Sequence, residues 1–435
     1  MALTEEGYRS RLIDPKIADL LTEFGAVSIE GPKWCGKTWT ALNHANSVFF
    51  LTDPAGNFSN REMARLDPSL ILDGDPPLVI DEWQEVPGIW DAVRFAVDRG
   101  RSPGAFILTG SAAPPRESYM HSGAGRIARV RMRTMSLYES GESSGAVSLN
   151  GLFQKKKTIP QRSSLTLDRI IALILRGGWP VLTGSSHPAS DVPRGASLEV
   201  SRQYLERIAD SEVSGIDGIR RNPSKVMAAL RSLARNNATL VSNKTLQRDI
   251  DTDDKDESGI SRNTIALYLT LLKNLYVLEE IPGWAPGLRS SKRLRISPKR
   301  FLTDPSLAAA AIDATPEKLK KDLNTLGFLF EGLCLRDILV YAESMGASAY
   351  HYRDESNLEA DMILERADGQ WAALEIKLGA NQTDTAAANL LKLNARMIKN
   401  GIPPAAFLAV VNGLGGFSCR RDDGVSVVPI DCLGP

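Results

Sequence analysis

The chain has 435 residues, 43% of them hydrophobic and 24% charged, enough for about three domains that each bury a core. Lys plus Arg and Asp plus Glu both number 52, so no global charge argues for nucleic acid and any such case rests on local patches. The cysteines (Cys35, Cys334, Cys419, Cys432) are scattered without C-x-x-C and the four histidines are isolated, which argues against zinc and against a disulfide framework.

The N-terminal MALTEEGYRSR has no apolar signal core, and no run approaches the roughly 18 apolar residues of a membrane span. The chain therefore reads as cytoplasmic, with no membrane partner. Ala26–Glu30 (AVSIE) reads as a short buried strand and TWTALNHA as a helix. Between them Gly31, Pro32, Lys33, Trp34, Cys35, Gly36, Lys37 and Thr38 fit G-x-x-x-x-G-K-[ST], with Trp39 following. Such a loop cradles nucleotide phosphates with backbone amides, its lysine reaches the β- and γ-phosphates, and its hydroxyl binds Mg²⁺. Gly31 and Gly36 allow the close phosphate approach that a Cβ would obstruct.

PPLVIDEWQEV places Leu78 to Ile80 before Asp81 and Glu82, the pattern of a buried parallel strand with two carboxylates at its C-terminal edge. There Asp81 is the candidate Mg²⁺ holder and Glu82 the candidate water-polarising group. The other reading is an Asp-Glu pair that merely opens a solvated helix. A third strand, AFILTGS, ends in Thr109 and Ser111, candidates for sensing the γ-phosphate or for a plain strand-end turn. Arg126 follows a Gly-rich turn, a candidate for stabilising transition-state charge in cis or across the subunit boundary of a homo-oligomer, or one solvated arginine among several.

Residues 1–140 thus read as an α/β nucleotide-binding unit, and 141–205 as a linker with a helical segment. The polar stretch from Glu139 to Ser164 reads as linker or long loop, and Leu167 to Leu182 as a helix ended by Gly177 and Gly178. Residues 206–304 read as a winged helix: KVMAALRSLARNN, LVSNKTLQRDI and a Ser261-capped SRNTIALYLTLLKNL, then two wing strands. A third helix of this kind offers its N-terminal residues, here with Arg262 and Asn263, to the major groove. The basic run Arg289, Lys292, Arg293, Arg295, Lys299 and Arg300 is a candidate for the DNA backbone. A structural or protein-docking module is the alternative, which the acidic loop DIDTDDKDESG favours.

Residues 305–435 read as a small α/β domain. Asp361 lies in LEADMILE, Glu375 and Lys377 share a side of the strand WAALEIKL, and Glu331 sits in the helix GFLFEGLCLRDILVY. D-x(13)-E-x-K on two strands suits a Mg²⁺ site with a lysine at the attacked phosphate, or a salt bridge that solubilises a sheet edge.

Read in series, IEGPKWCGKT, LVIDEWQEVP, FILTGSA, GAGRIARVRMRTMSLYES, RGGWPVL, LKNLYVLEEIPGW, FEGLCLRDIL and EADMILE…ALEIKLG resemble prokaryotic AAA-type ATPases with a C-terminal restriction-endonuclease-like domain of unknown function. The resemblance covers nearly the whole chain. It implies a P-loop AAA-type ATPase domain, a winged-helix middle and a nuclease-like end, with ATP and Mg²⁺ as cofactors and DNA as partner. Trp34-Cys35 departs from the smaller or polar residues many such ATPases carry in the loop. Two further readings remain open: a nucleotide-switched DNA- or protein-binding regulator with an inert nuclease-like domain, and an ATP-regulated Mg²⁺-dependent nuclease.

Overall fold

The computed structural model describes residues 3–114, 120–156, 160–183, 196–253, 259–287 and 296–435. The chain forms two compact units: Met1–Thr134 with Asp210–Arg221 and Thr270–Val277, and Met135–Ala209 with Asn222–Leu269 and Leu278–Pro435.

The first unit is built on five parallel strands in the order β2-β3-β4-β1-β5. They are β1 (Ala26–Glu30), β2 (Ser47–Phe50), β3 (Leu78–Asp81), β4 (Phe106–Gly110) and β5 (Ile127–Arg131). Alternation along these apolar strands feeds two cores, as a sheet covered on both faces requires. Leu78, Ile80, Phe106 and Leu108 join Trp83, Trp90 and Val93 on one face. Val27, Ile29, Val79 and Ile107 join Ile17, Cys35 and Ala41 on the other. Cys35, an unusual loop residue in the sequence, is thus a core residue, while its neighbour Trp34 is 60% exposed.

The second unit contains the mixed sheet β13-β14-β12-β11-β10-β9. Two short pairs also belong to it: β6 (Val147–Ser148) with β15 (Leu433–Gly434), and the antiparallel β7 (Leu278–Ile281) with β8 (Lys299–Leu302). The mixed sheet comprises β9 (Ser348–Arg353), β10 (Glu359–Glu365), β11 (Trp371–Gly379), β12 (Leu408–Leu414), β13 (Cys419–Arg420) and β14 (Ser426–Pro429). β11, β12 and β14 are parallel, whereas β9, β10 and β11 are antiparallel. The β9–β10 register slips between Ala360 and Ile363, a bulge at Asp361 of the kind that re-aims a side chain.

Two sequence features acquire physical reasons here. The stretch read as linker carries β6 and the helix Leu149–Phe153, because Val147, Leu149, Leu152 and Phe153 are apolar and buried. The Gly177-Gly178 stop sits over a buried ionic hub. A Cβ at Gly178 would lie 2.1 Å from the Met135 carbonyl oxygen, and Gly178 N donates to Asp304 Oδ2 at 2.9 Å. Arg336 pairs with Asp304 at 3.1 Å and Asp337 at 2.7 Å, and Asp337 accepts from Leu137 N at 2.9 Å. Each charge is buried, and each has a partner, as burial demands.

Candidate functional site

The loop from Gly31 to Gly36 lies between β1 and the helix Lys37–Asn43. A Cβ at Gly31 would sit 2.2 Å from the Met132 carbonyl oxygen, and Gly36 has φ +100°, so both glycines are required by the backbone. Lys37 is buried, and its ammonium donates to the Pro32 carbonyl at 3.0 Å across its own loop. Thr38 Oγ1 donates to Asp81 Oδ1 at 2.8 Å, and Thr109 Oγ1 donates to the same oxygen at 2.7 Å. Burial is the main influence on Asp81 and raises its pKa, opposed by the hydrogen bonds from Thr109 and Thr38.

Glu82 follows in the left-handed region at φ +58°, and its N–H donates to Thr109 Oγ1 at 3.0 Å. Its Oε2 accepts from Ser111 Oγ at 2.7 Å and also from Gln84 Nε2. The sheet order explains the convergence: β4 lies between β1 and β3, so Thr109 and Ser111 meet both neighbours at one edge. Thus Lys37, Thr38, Asp81, Glu82, Thr109 and Ser111 are brought together. Lys33 extends to Glu212 at 2.6 Å, and Trp39 is exposed.

Arg126 is not brought to this edge. It precedes Ile127, which pairs with Ala26 at the start of β1, and it forms an ion pair with Asp98 at 2.7 Å. The phosphate loop begins after Glu30, about 13 Å further along a strand at roughly 3.3 Å per residue. Arg126 cannot therefore serve its own chain's loop from this position.

Sequence reasoning missed two supports. Gln84 carries no motif, and only its place two residues after Glu82 hints at its contact. Tyr276, read as part of a wing strand, donates to Glu30 Oε2 at 2.9 Å immediately before the phosphate loop. Burial, then the Glu30 charge, pushes the Tyr276 hydroxyl pKa well up, which keeps it a donor.

The second unit gathers the carboxylates of the C-terminal motif around two ammonium groups. Lys377 lies 2.6 Å from Glu375 Oε2 and 3.4 Å from Asp361 Oδ2, which also accepts from Ile376 N at 2.9 Å. Lys299 lies 2.6 Å from Glu331 Oε1 and 3.1 Å from Asp361 Oδ1. Burial raises the pKa of Glu331 and of Glu375, with the Asp361 charge adding to both. Asp361 is held low by Lys299 and Lys377, which outweigh its own burial. Among the described residues, no three His, Cys, Asp or Glu side chains are disposed to hold one metal ion.

Lys299 and Arg300 correct the expected basic run. Lys299 is buried among carboxylates, and Arg300 pairs with Glu280 at 2.9 Å and donates to the Val241 carbonyl at 3.0 Å. Arg289, Lys292, Arg293 and Arg295 lie outside the described residues. Arg262 and Asn263 are exposed at the start of the helix Arg262–Asn274, where Ser261 Oγ accepts from Thr264 N at 3.1 Å. Among the described residues no helix is long and apolar enough to cross a membrane.

Residues 23–141 match a family model described as AAA domain. Residues 167–318 match Domain of unknown function (DUF8612), and residues 326–433 match Domain of unknown function (DUF4143). Uncharacterized proteins of Mycobacterium bovis and Mycobacterium tuberculosis are each 26% identical over 356 residues, covering 81% of this chain and 70% of the relative. A Walker-type ATPase of Pyrococcus abyssi is 13% identical with a TM-score of 0.44, covering 71% of this chain and 97% of that chain. In series, then, the chain carries a stretch similar to an AAA domain and two stretches similar to domains of unknown function.

Proposed function

We propose that the chain is a Mg²⁺-dependent ATPase acting on or near DNA, with a winged-helix module and an inert nuclease-like C-terminal domain. The observation that carries the ATPase reading is the pair of hydroxyls, Thr38 and Thr109, meeting on one Asp81 oxygen beside a loop closed by Lys37. This donor set suits Mg²⁺: a loop hydroxyl and a strand-end carboxylate are hard oxygen ligands, and they leave room for waters and phosphate. Thr38 and Asp81 would hold the ion, which supplies charge neutralisation at the phosphates. Lys37, freed from the Pro32 carbonyl, meets the γ-phosphate; Glu82 orients and polarises the attacking water; Thr109 and Ser111 fix the two carboxylates. Arg126 serves only a neighbouring copy in a homo-oligomer.

Three helices (Pro223–Arg235, Asn243–Asp253 and Arg262–Asn274) followed by the β7–β8 pair support the winged-helix reading. The exposed Arg262 and Asn263 are the groups offered to a base edge or phosphate. The carboxylate cluster does not suit a divalent ion as arranged, because Lys299 and Lys377 already occupy its oxygens. That observation favours the inert reading over the nuclease.

A DNA-stimulated ATPase assay with a parallel plasmid-cleavage readout tests the proposal. Wild type is expected to hydrolyse ATP, to respond to duplex DNA and to leave plasmid intact. Lys37→Ala should lose a factor of about 10² or more in turnover, because it removes charge from the transition state. Wild-type turnover from a folded Lys37→Ala protein sinks the ATPase site. Cleavage lost in Asp361→Asn replaces inertness with the nuclease.

A further inference from the structure

Lys299 is the first residue of β8, and the backbone around it is tied to three other segments. Lys299 pairs with Ile281 across the β7–β8 ladder, Arg300 N donates to the Thr239 carbonyl at 3.0 Å, and His351 Nε2 meets the Ser297 carbonyl at 2.9 Å. This frame aims one ammonium at two carboxylates of different elements, Glu331 on the helix Leu323–Ser344 and Asp361 on β10. A cation bridging two carboxylates is the arrangement a hydrated divalent ion takes when one or two carboxylates and several waters hold it.

We infer that Lys299 is the resident cation of the C-terminal carboxylate cluster and that, while β8 holds it there, the cluster takes no divalent metal. The charge balance supports this. Glu331, Asp361 and Glu375 face Lys299 and Lys377, so the negative charge that would draw a divalent ion is largely neutralised from within the fold. The oxygens are also engaged. Glu331 Oε1, both Asp361 oxygens and Glu375 Oε2 accept from ammonium or backbone donors, and Glu375 Oε1 is a buried oxygen without a donor. A divalent ion shared between Glu331 and Asp361 would therefore have to displace the Lys299 ammonium.

Access is not what excludes the ion. A cavity of about 540 Å³ is lined by Glu331, Lys377, Asn324, Asn381 and Gln382, so solvent reaches the cluster's edge. Occupancy excludes it. Removing Lys299 therefore exposes a latent two-carboxylate cation site between Glu331 and Asp361. The inference is independent of ATP hydrolysis, which uses none of these residues.

The test is Mn²⁺ binding to the full, nucleotide-free chain, followed by the electron-paramagnetic signal of free Mn²⁺. Wild type is expected to bind no Mn²⁺ in a manner sensitive to Asp361→Asn. Lys299→Met, chosen to keep the stem volume, is expected to gain Asp361-dependent binding at least about tenfold tighter. The displaced ammonium holds two charge-assisted hydrogen bonds, each worth more than the free energy of that factor. Equal Asp361-dependent binding by wild type and Lys299→Met overturns the inference, as does a folded Lys299→Met protein that gains none. A wild-type readout stands apart from the variant's folding: millimolar MnCl₂ should not raise the wild-type melting temperature beyond its effect on Asp361→Asn. An Asp361-dependent rise means that the wild-type cluster already takes the ion, and the inference fails.

Discussion

Asp81 is a carboxylate that burial makes costly to charge and two threonine hydroxyls make worth keeping. Its raised pKa means that the stabilisation of its neutral form is fully present below the usual carboxylate range and is lost as pH rises through the raised value. Asp81→Asn offers the same hydroxyls an uncharged oxygen. The nucleotide-free variant is therefore expected to melt above wild type at neutral pH, with the gap closing as pH falls into the acid range. On the proposed function its turnover should drop by about 10² or more, because Asp81 would be the anion that holds the metal. A variant that melts below wild type at neutral pH contradicts the burial account. These positions were legible because G-x-x-x-x-G-K-[ST] and a strand ending in Asp-Glu are local patterns. Gln84, Tyr276 and Lys299 were not, because each acquires its meaning from a partner far away in sequence or absent from any motif: Tyr276 from Glu30, Lys299 from Glu331 and Asp361. Lys299 was read with its basic neighbours, since a charge run in sequence says nothing about which member a strand turns inward.

Among the elements, strands were the most readable, since apolar runs bounded by turn residues mark β1, β3 and β4 directly. The bulge in β10 was invisible, because no residue type encodes a register slip. The helix Leu149–Phe153 was hidden by the polar residues around it, its three apolar positions being too few to show a period. The Gly177-Gly178 turn was read as a helix stop, which it is, yet its glycines also make room for Met135 and the Asp304 side chain. The Arg336 hub below it carries a stability prediction. Arg336→Met leaves Asp304 and Asp337 buried without their cation and should cost about 3–5 kcal/mol. A urea titration of the second unit's transition reads this as a lower midpoint. An unchanged midpoint with an unchanged slope means that the carboxylates find other partners and the hub is not ionic in effect.

For the whole molecule, each chemistry is self-contained within its unit. Every contact described around the phosphate loop comes from the first unit, and every ion pair of the carboxylate cluster comes from the second. The first unit is discontinuous in sequence, drawing on Asp210–Arg221 and Thr270–Val277, and so returns Glu212 to Lys33 and Tyr276 to Glu30. Reading along the chain, which assigns stretches in order, has no means of seeing such returns. The burial of tryptophan has an optical consequence. Trp83, Trp90, Trp179, Trp284 and Trp371 are each at most 2% exposed, whereas Trp34 and Trp39, within and just after the phosphate loop, are 60% and 45% exposed. Iodide in solution therefore quenches, in effect, only the emission that originates at the loop. Adding ATP is expected to shield that fraction and flatten the Stern–Volmer slope in wild type but not in Lys37→Ala, so the protein carries an unlabelled fluorescent gauge of its own nucleotide occupancy.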